Sequence, residues 1–321
     1  MNALPLHALA PAKINLGLFL GPIRADGRHE LTTVMQSISL ADELTLLAAP
    51  DPNASGDVVV CPGLEDPPIP PIPPIPPAEN LAAVALAAFR AATGWDAPPL
   101  RLDIVKRVPV AAGLGGGSGD AAATLRLAAA ASGLGDDALL EELARALGAD
   151  VPAQVRPGRW LASGAGEVLQ ALLDPVVPLG VLVLPISRAL STGDVYAHAD
   201  RMGLGRERAE LEDAHRAFAD ALADGSPLPP AELLSNDLEG AARALCPEID
   251  AALREVRGID ADAALVSGSG PTVLGLFAGS RGPARARAAT RALAERVPAP
   301  LAAEAITADF ARVAPTDSSA R

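Results

Sequence analysis

The chain has 321 residues, of which 50% are hydrophobic and 2% aromatic, and its formal net charge at pH 7 is −13. This length exceeds the usual size of one domain, so we expect two domains with largely aliphatic cores. The acidic balance argues against a nucleic-acid-binding surface, and two distant cysteines, Cys61 and Cys246, argue against a disulfide framework or a cysteine metal site.

The first half of the chain mixes strand and helix patterns. Alternating apolar residues predict strands over about 5–20, 32–48, 56–61 and 100–108. Helical periodicity predicts helices over about 80–93, 119–132 and 137–148. The proline-rich run 67–77 predicts an exposed polyproline II segment inserted in a surface loop, with recruitment of a proline-binding partner as the alternative.

The pattern changes after residue 164, and we place the domain boundary near residue 165, giving domains 1–165 and 166–321. The apolar stretch 176–186 contains Pro178 and is too short to span a bilayer, so it predicts a buried strand. Helices are expected over about 205–224, 231–245, 247–257 and 281–296, and strands over about 263–267 and 271–277. No cationic stretch precedes an apolar run at the N-terminus, which predicts a cytoplasmic protein without a membrane partner.

A glycine-rich run, Pro109 to Asp120, connects a predicted strand to a predicted Ala-rich helix. Its five glycines let the backbone approach another group closely, and the helix that follows directs its first amides and its positive dipole end at the same space. This arrangement predicts a phosphate site, with a flexible linker as the alternative.

Other phosphate motifs fit this run poorly. A Walker loop requires a lysine after the glycines, and none follows. A dinucleotide fingerprint requires an acid at the end of a second strand, whereas Asp136 and Asp137 precede leucines as helix N-cap residues do. Protein-kinase landmarks such as His-Arg-Asp and Asp-Phe-Gly are absent.

Lysine usage singles out two positions. The chain has 26 Lys plus Arg, but only Lys13 and Lys106 are lysines. Lys106 precedes the glycine-rich run, and Lys13 lies in an apolar segment where an unpaired charge is unfavourable. Both positions therefore suggest a need for a compact ammonium group, the alternative being two surface lysines retained by chance.

Five motifs together resemble the GHMP superfamily of small-molecule kinases, which includes galactokinase, homoserine kinase, mevalonate kinase and phosphomevalonate kinase. The motifs are Pro11-Ala-Lys-Ile-Asn-Leu-Gly-Leu18, Arg24-Ala-Asp-Gly-Arg-His-Glu-Leu31, Gly113-Leu-Gly-Gly-Gly-Ser118, Leu147-Gly-Ala-Asp-Val-Pro152 and Val266-Ser-Gly-Ser-Gly-Pro271. The resemblance runs from about residue 9 to about residue 310. The first and fourth motifs are similar to those of the members that act on a cytidine diphosphate-linked methylerythritol.

The resemblance implies an α+β fold with a ribosomal-protein-S5-like N-terminal domain, a ferredoxin-like C-terminal domain and the active site between them. It implies ATP and Mg²⁺ as cofactors and phosphorylation of the acceptor's 2-hydroxyl in the non-mevalonate isoprenoid pathway. Lys13 and Asp150 would be the catalytic pair, although Asp150 also fits an aspartate at the end of a helix.

The implied ATP site consists of the glycine-rich run and a few residues outside it. Asn80 and Lys106 would lie on the adenine and ribose side, although Asn80 also fits a helix N-cap and Lys106 a surface lysine. Asp120 fits either the metal shell or the positive end of a helix, and Ser118 is the candidate Mg²⁺ contact. The full set is Asn80, Lys106, Pro109, Val110, Ala111, Ala112, Gly113, Leu114, Gly115, Gly116, Gly117, Ser118, Gly119, Asp120, Ser267, Gly268, Ser269 and Gly270, the last four also fitting a simple hairpin turn.

The implied acceptor site departs from the usual family pattern. Members usually carry Asp-Gly-Tyr-His, whereas this chain has Asp-Gly-Arg-His at 26–29. Arg28 would stack on the base through its planar guanidinium, and His29 would read the base edge. Tyr196 matches the aromatic residue on the second side of the base, and Asn15 would contact the acceptor near Lys13.

Two other functions stay open at this point. One is a kinase of the same superfamily that acts on another alcohol, such as homoserine or mevalonate. The other is a nucleotide-binding protein without kinase activity. In each case the expected partner is a small molecule rather than a nucleic acid, and the chain is expected to be a monomer or a homodimer.

Overall fold

Two β-sheets organise the computed structural model, which describes residues 4–52, 56–61, 76 and 79–316. The predicted polyproline II segment 67–77 lies outside the described residues apart from residue 76. The strands are β1 (Leu6–Ile23), β2 (His29–Ala48), β3 (Val58–Val60), β4 (Leu100–Val105), β5 (Arg159–Ser163), β6 (Val168–Ala171), β7 (Leu179–Leu184), β8 (Ala263–Val266), β9 (Val273–Ala278), β10 (Leu301–Glu304) and β11 (Ala314–Pro315). The helices are α1 (Leu81–Thr93), α2 (Gly116–Ser132), α3 (Asp137–Leu147), α4 (Val151–Val155), α5 (Thr192–Met202), α6 (Arg208–Ala221), α7 (Glu239–Leu245), α8 (Glu248–Gly258) and α9 (Gly282–Ala292).

The first sheet is built on the long antiparallel hairpin of β1 and β2. Its order is β11-β1-β2-β4-β3, and β5 also pairs with β2 and carries β6. Leu44 and Leu46 alternate with outward residues on β2, so one face of the sheet is apolar and packs against Phe89 of α1 and Leu125 of α2. This layer holds the start of α2 beside the strands.

The second sheet has the order β10-β7-β9-β8 with antiparallel neighbours throughout, as in a ferredoxin-like βαββαβ arrangement. All six residues of β7 are buried, which confirms the buried strand predicted within 176–186. Val181 and Val183 pack in one cluster with Ile14 of β1, whereas Leu182 and Leu184 pack with the helices of the second half. Because β7 is apolar on both faces, it joins the two halves of the molecule.

The predicted helix 231–245 is wrong over its first half, because helix α7 begins only at Glu239. The backbone of 235–237 bonds to β1 instead, since Leu18 N–H donates to Ser235 O at 2.8 Å and Asp237 N–H donates to Leu18 O at 2.9 Å. Tertiary hydrogen bonds thus override the local helical pattern.

Several short elements were not predicted, namely α4, β5, β6, α5, β10 and β11. The hairpin of β5 and β6 spans residue 165 and keeps residues 168–171 in the first sheet. The proposed boundary at 165 therefore divides a paired hairpin, and we propose instead that it lies between residues 171 and 179. Within the described residues, no helix is both long and apolar enough to cross a membrane.

Candidate active site

A cavity of about 810 Å³ lies between the first sheet, the glycine-rich run and the turn that follows β8. Of the predicted ATP-site residues, Asn80, Lys106, Pro109, Val110, Ala111, Ala112, Gly113, Leu114, Gly115, Gly116, Gly117, Ser118, Asp120, Gly268 and Ser269 line it. Lys13, Asn15, Asp150 and Tyr196 also line it. Five predicted site residues are not part of its wall, namely Arg28, His29, Gly119, Ser267 and Gly270.

The glycines of the run allow close packing within the protein. A Cβ at Gly113 would collide with the carbonyl of Ser267, and Gly113 has a φ of +74°. A Cβ at Gly119 would lie 2.9 Å from Pro11 O. Gly117 is different, because its Cβ would have no neighbour closer than 3.9 Å among the residues that the structure describes. The glycine-rich run therefore packs closely against β1 and against the turn that contains Ser267, whereas the space beside Gly117 is free of close contacts with the described residues.

The start of α2 is suited to an anion. The helix is capped by Gly115, and its first turn contains no acidic residue, so the free amides and the dipole are not compensated by a side chain. Lys13 N–H donates to Leu114 O at 2.9 Å, and Ser267 Oγ donates to Gly113 O at 3.0 Å. Both bonds fix the loop that leads into these amides.

Lys106 is neither exposed nor unpaired, because it is buried between two carboxylates. Its Nζ contacts Asp42 Oδ2 and lies 2.7 Å from Asp120 Oδ2. Asp42 Oδ1 in turn accepts from the backbone N–H groups of Arg107 and Val108. Burial, and then the charge of Asp42, raises the pKa of Asp120 to about 7 despite the attraction of Lys106. This cluster ties α2 to β2 and to the segment before the glycine-rich run.

Asp120 Oδ1 is buried and has no hydrogen-bond partner among the residues that the structure describes. Ser118, two residues earlier, also lines the cavity. An Mg²⁺ ion bound to phosphates typically takes one or two protein oxygens, so these two side chains fit such an ion. The uncompensated amides of α2 fit the phosphates themselves.

Lys13 and Asp150 are in contact on the wall of the cavity. Their Nζ and Oδ2 atoms are 3.3 Å apart, and the Lys13 side chain is buried whereas 34% of the Asp150 side chain is exposed. Lys13 Nζ also donates to Asn15 Oδ1 at 3.0 Å, and Asn15 Nδ2 donates to Thr33 Oγ1 at 2.8 Å. The ammonium group is thus held in place, and the carboxylate remains accessible.

Asp150 is the N-cap residue of α4, but its side chain makes no cap hydrogen bond. The carboxylate is therefore not used by its own helix. The structure places it beside Lys13, as the sequence predicted for the catalytic pair.

Tyr196 and His29 lie together, with ring centroids 5.4 Å apart. Burial, and then the charge of Asp150, raises the pKa of Tyr196 to about 12. Both ring nitrogens of His29 have partners, since Nδ1 is 3.1 Å from Gly21 O and Nε2 is 3.1 Å from Asp200 Oδ1. The expectation that His29 presents a free edge to a base is therefore not met in this structure.

Arg28 lies at the tip of the turn between β1 and β2. Half of its side chain is exposed, and its guanidinium donates to Asp26 Oδ2 from Nε at 3.1 Å and from Nη2 at 2.9 Å. Because the guanidinium pairs with Asp26 and Arg28 does not line the cavity, the structure does not place Arg28 as a stacking partner for a base.

Asn80 is the N-cap residue of α1 and also lies on the cavity wall. Its Oδ1 accepts from Ala82 N–H at 3.0 Å. Ser269 Oγ lies 3.1 Å from Thr192 Oγ1, so the turn after β8 is bonded to the start of α5.

Sequence reasoning missed Asp42 and Asn236, two buried residues that support the walls of the site. Asp42 shares the inward face of β2 with Leu44 and Leu46, and a carboxylate on the apolar face of an alternating strand was the available signal. Asn236 is buried, and its Nδ2 donates to Val266 O at 2.9 Å and Gly268 O at 2.7 Å. No local pattern indicates this bridge, because its partners are 30 residues or more away.

Comparisons with known proteins agree with this geometry. The family described as "GHMP kinases N terminal domain" matches residues 80–158, and that described as "GHMP kinases C terminal" matches residues 218–299. A 4-diphosphocytidyl-2-C-methyl-D-erythritol kinase from Anaeromyxobacter sp. (strain K) is 42% identical over 286 residues, covering 88% of this chain and 84% of the relative. The enzyme of the same name from Streptomyces coelicolor is 39% identical, with 84% of this chain and 87% of the relative covered.

Solved structures give the same result. A crystal structure of 4-(cytidine 5'-diphospho)-2C-methyl-D-erythritol kinase superposes with a TM-score of 0.70 at 34% identity, covering 93% of this chain and 98% of the other. Homoserine kinase from Cytophaga hutchinsonii superposes with a TM-score of 0.70 at 14% identity, covering 98% of this chain and 99% of the other, which shows a shared fold only. The chain therefore belongs to the GHMP kinase family and, within it, to the 4-diphosphocytidyl-2-C-methyl-D-erythritol kinases, which are ATP-dependent small-molecule kinases.

Proposed function

We propose that this chain transfers the γ-phosphoryl group of ATP to the 2-hydroxyl of 4-diphosphocytidyl-2-C-methyl-D-erythritol, with Lys13 and Asp150 at the reacting atoms. The observation that carries the proposal is the 3.3 Å contact between these two side chains in the cavity that the start of α2 also faces. Phosphoryl transfer to an alcohol needs an orienting carboxylate, a nearby cation and a phosphate cradle. All three lie on one cavity here.

Asp150 orients the acceptor hydroxyl and accepts its proton. Its carboxylate is one-third exposed to the cavity and is not engaged by the α4 backbone, so an alcohol can approach it. The contact with Lys13 holds the carboxylate in a fixed place.

Lys13 stabilises negative charge on the transferred phosphoryl group. An ammonium has three N–H donors, and Asn15 and Asp150 occupy two of them. The third is available to a phosphoryl oxygen. Because Asn15 and Thr33 hold the amine in place, little reorganisation is needed when charge develops.

The nucleotide phosphates occupy the cradle formed by the first amides of α2. Ser118 Oγ and the unpartnered Asp120 Oδ1 are the side-chain oxygens that would hold Mg²⁺, which neutralises phosphate charge when it is bound. The Lys106 cluster acts indirectly, because it fixes Asp120 and the strand end that leads into the loop.

Tyr196 supplies the aromatic surface for the cytosine base. It is the chain's single tyrosine, lines the cavity and lies near Asp150. His29, which has partners at both nitrogens, supports the Tyr196 ring, and Arg28 takes no part in stacking. An aromatic ring thus stacks on one face of the acceptor base, whereas family members usually stack one on each face.

The experiment that tests this function measures ADP release from Mg-ATP with 4-diphosphocytidyl-2-C-methyl-D-erythritol, homoserine and mevalonate as separate acceptors. Turnover with the cytidine-containing acceptor alone supports the proposal. Turnover with only another alcohol would refute the acceptor assignment and retain the kinase chemistry. ATP binding without turnover of any acceptor would refute the function itself.

A further inference from the structure

Helix α4, which directly follows Asp150, is too short to hold its own position. It has five residues, Val151–Val155, whereas isolated helices need about 12–15 residues to be even marginally stable. The Asp150 side chain does not cap it. The place of the carboxylate is therefore set by whatever fastens α4 to the rest of the protein.

Gln154 fastens α4 to the strand that carries Lys13. Its side chain is completely buried, and Nε2 donates to Pro11 O at 2.9 Å, two residues before Lys13 on β1. Its Oε1 accepts from Ser37 Oγ at 3.3 Å, and Ser37 is the residue opposite Lys13 in the β1–β2 register. One amide group thus bonds to both strands at the position of Lys13.

The Pro11 carbonyl is a fixed point of the site. The β1–β2 register shifts between Pro11 and Ala12, and α2 approaches the same carbonyl so closely that only a glycine fits at position 119. The hydrogen bond from Gln154 therefore attaches α4 to the same backbone carbonyl against which Gly119 packs. Arg126 adds a second tie, because its guanidinium donates to Gln154 O and, at 2.7 Å, to Leu9 O.

We propose that Gln154 is a positioning residue for phosphoryl transfer, and that its amide bond to the Pro11 carbonyl sets Asp150 in reach of Lys13. The inference rests on the proposed role of Asp150. Misplacing a reacting group by about 1 Å costs on the order of 10²-fold in rate. Loss of the bond should therefore reduce the chemical step and spare nucleotide binding, since α4 does not carry the phosphate cradle.

The first variant is Gln154→Leu, which keeps the size of the side chain and removes its hydrogen bonds. Gln36→Leu is the matched control, because Gln36 is equally buried but bonds to Arg159 Nε, Ser37 O and Ile306 O rather than to α4. We expect kcat to fall roughly 10- to 100-fold in Gln154→Leu with the KM for ATP within about twofold of wild type. Gln36→Leu should lose stability while keeping a kcat near that of wild type.

A double-mutant cycle separates positioning from a general loss of structure. If Gln154 acts through Asp150, adding Gln154→Leu to Asp150→Asn should cause almost no further loss of kcat. The same fold loss in both backgrounds, or a raised KM for ATP with unchanged kcat, would overturn the proposal. If the leucine variants do not fold, Gln154→Asn and Gln36→Asn form a milder pair that shortens the side chain by one methylene.

Hydrogen exchange of residues 149–156 tests the inference without any acceptor. Gln154→Leu should exchange these amides faster than wild type does, and Gln36→Leu should leave them unchanged. Unchanged exchange in Gln154→Leu would overturn the positioning role whatever the acceptor is. A wild-type enzyme that shows no turnover, together with faster exchange in the variant, would refute the proposed function and leave the tie between α4 and β1 intact.

Discussion

Replacing Lys106 with methionine is expected to be among the most destabilising substitutions near the site. The Lys106 ammonium is buried between Asp42, whose side chain has no exposed surface, and Asp120, whose side chain is 9% exposed. Methionine keeps most of the side-chain length and removes the positive charge, so two buried carboxylates face each other. Removing one partner of a buried ion pair costs about 3–5 kcal/mol, and we expect a loss of that size at pH 8.

The loss should depend on pH, and its sign follows from Asp120. Burial and the neighbouring Asp42 raise the pKa of this carboxyl to about 7 against the attraction of Lys106. Between about pH 4 and pH 7, Asp120 therefore carries a proton in the native state but not in the unfolded chain. The free energy of unfolding falls as the pH rises through this range. Without Lys106 the pKa of Asp120 rises further, and the fall continues above pH 7. The deficit of Lys106→Met should thus be larger at pH 8 than at pH 6.

Urea unfolding at pH 6 and pH 8 measures both effects. Arg107→Met is the matched control, because Arg107 pairs with Glu43 on the surface and such pairs contribute about 0–1 kcal/mol. The double variant Lys106→Met/Asp120→Asn should regain stability, since only one of the two carboxylates remains. Two results would refute the reasoning. One is a loss of unfolding free energy in Lys106→Met no larger than that in Arg107→Met, and the other is an equal loss at both pH values.

Three further substitutions test the site. Asp150→Asn should lower kcat roughly 10²–10⁴-fold in an ADP-release assay with the KM for ATP nearly unchanged, and undiminished turnover would remove Asp150 from the mechanism. Tyr196→Ala should raise the KM for the cytidine acceptor roughly 5- to 150-fold in steady-state kinetics, since stacking on a base contributes about 1–3 kcal/mol, and Tyr196→Phe should restore it. Equal KM values in wild type and Tyr196→Ala would exclude the stack. Gly113→Ala should lower the unfolding temperature and abolish ATP binding measured by calorimetry, because the new methyl group meets Ser267 O at a positive φ, and a variant that binds ATP normally would contradict the close packing of the loop.

The parts of the site that could be predicted from the sequence are those whose chemistry lies in consecutive residues. The proposed phosphate cradle needs only a strand, several glycines and a helix start, all within 102–131, so it could be proposed without tertiary structure. The prediction of an ATP-dependent small-molecule kinase is confirmed by the family. Lys13 was visible for a different reason, because an ammonium in an apolar segment requires a partner.

What could not be predicted depends on residues far apart in the chain. Lys106 was expected on the adenine and ribose side of the site, and the sequence did not indicate that Asp42, 64 residues earlier, compensates its charge. His29 was expected to read a base, yet Asp200 and Gly21 O occupy its nitrogens. In both cases a charged partner comes from a contact that no local pattern encodes.

The geometry of the whole site is organised by one free edge of β1. Strand β2 covers one edge of β1 throughout, whereas, in the part of the chain that the structure describes, β11 covers the other edge of β1 only at Leu6 and His7. Beyond that point, backbone groups of alternate residues on the free edge bind other parts of the site. Leu9 O accepts from Arg126, Pro11 O accepts from Gln154, and Lys13 N–H donates to the glycine-rich run.

An uncovered strand edge ordinarily invites pairing with another chain. Here the backbone donors and acceptors of this edge form hydrogen bonds with α2, α4 and the glycine-rich run, so another chain is not needed to pair with them. As a consequence, one stretch of the β1 backbone positions three parts of the site: the Asp150 carboxylate, the Lys13 ammonium and the first amides of α2. Their mutual distances then depend on few intervening contacts, which suits an in-line transfer in which donor, acceptor and cation must coincide.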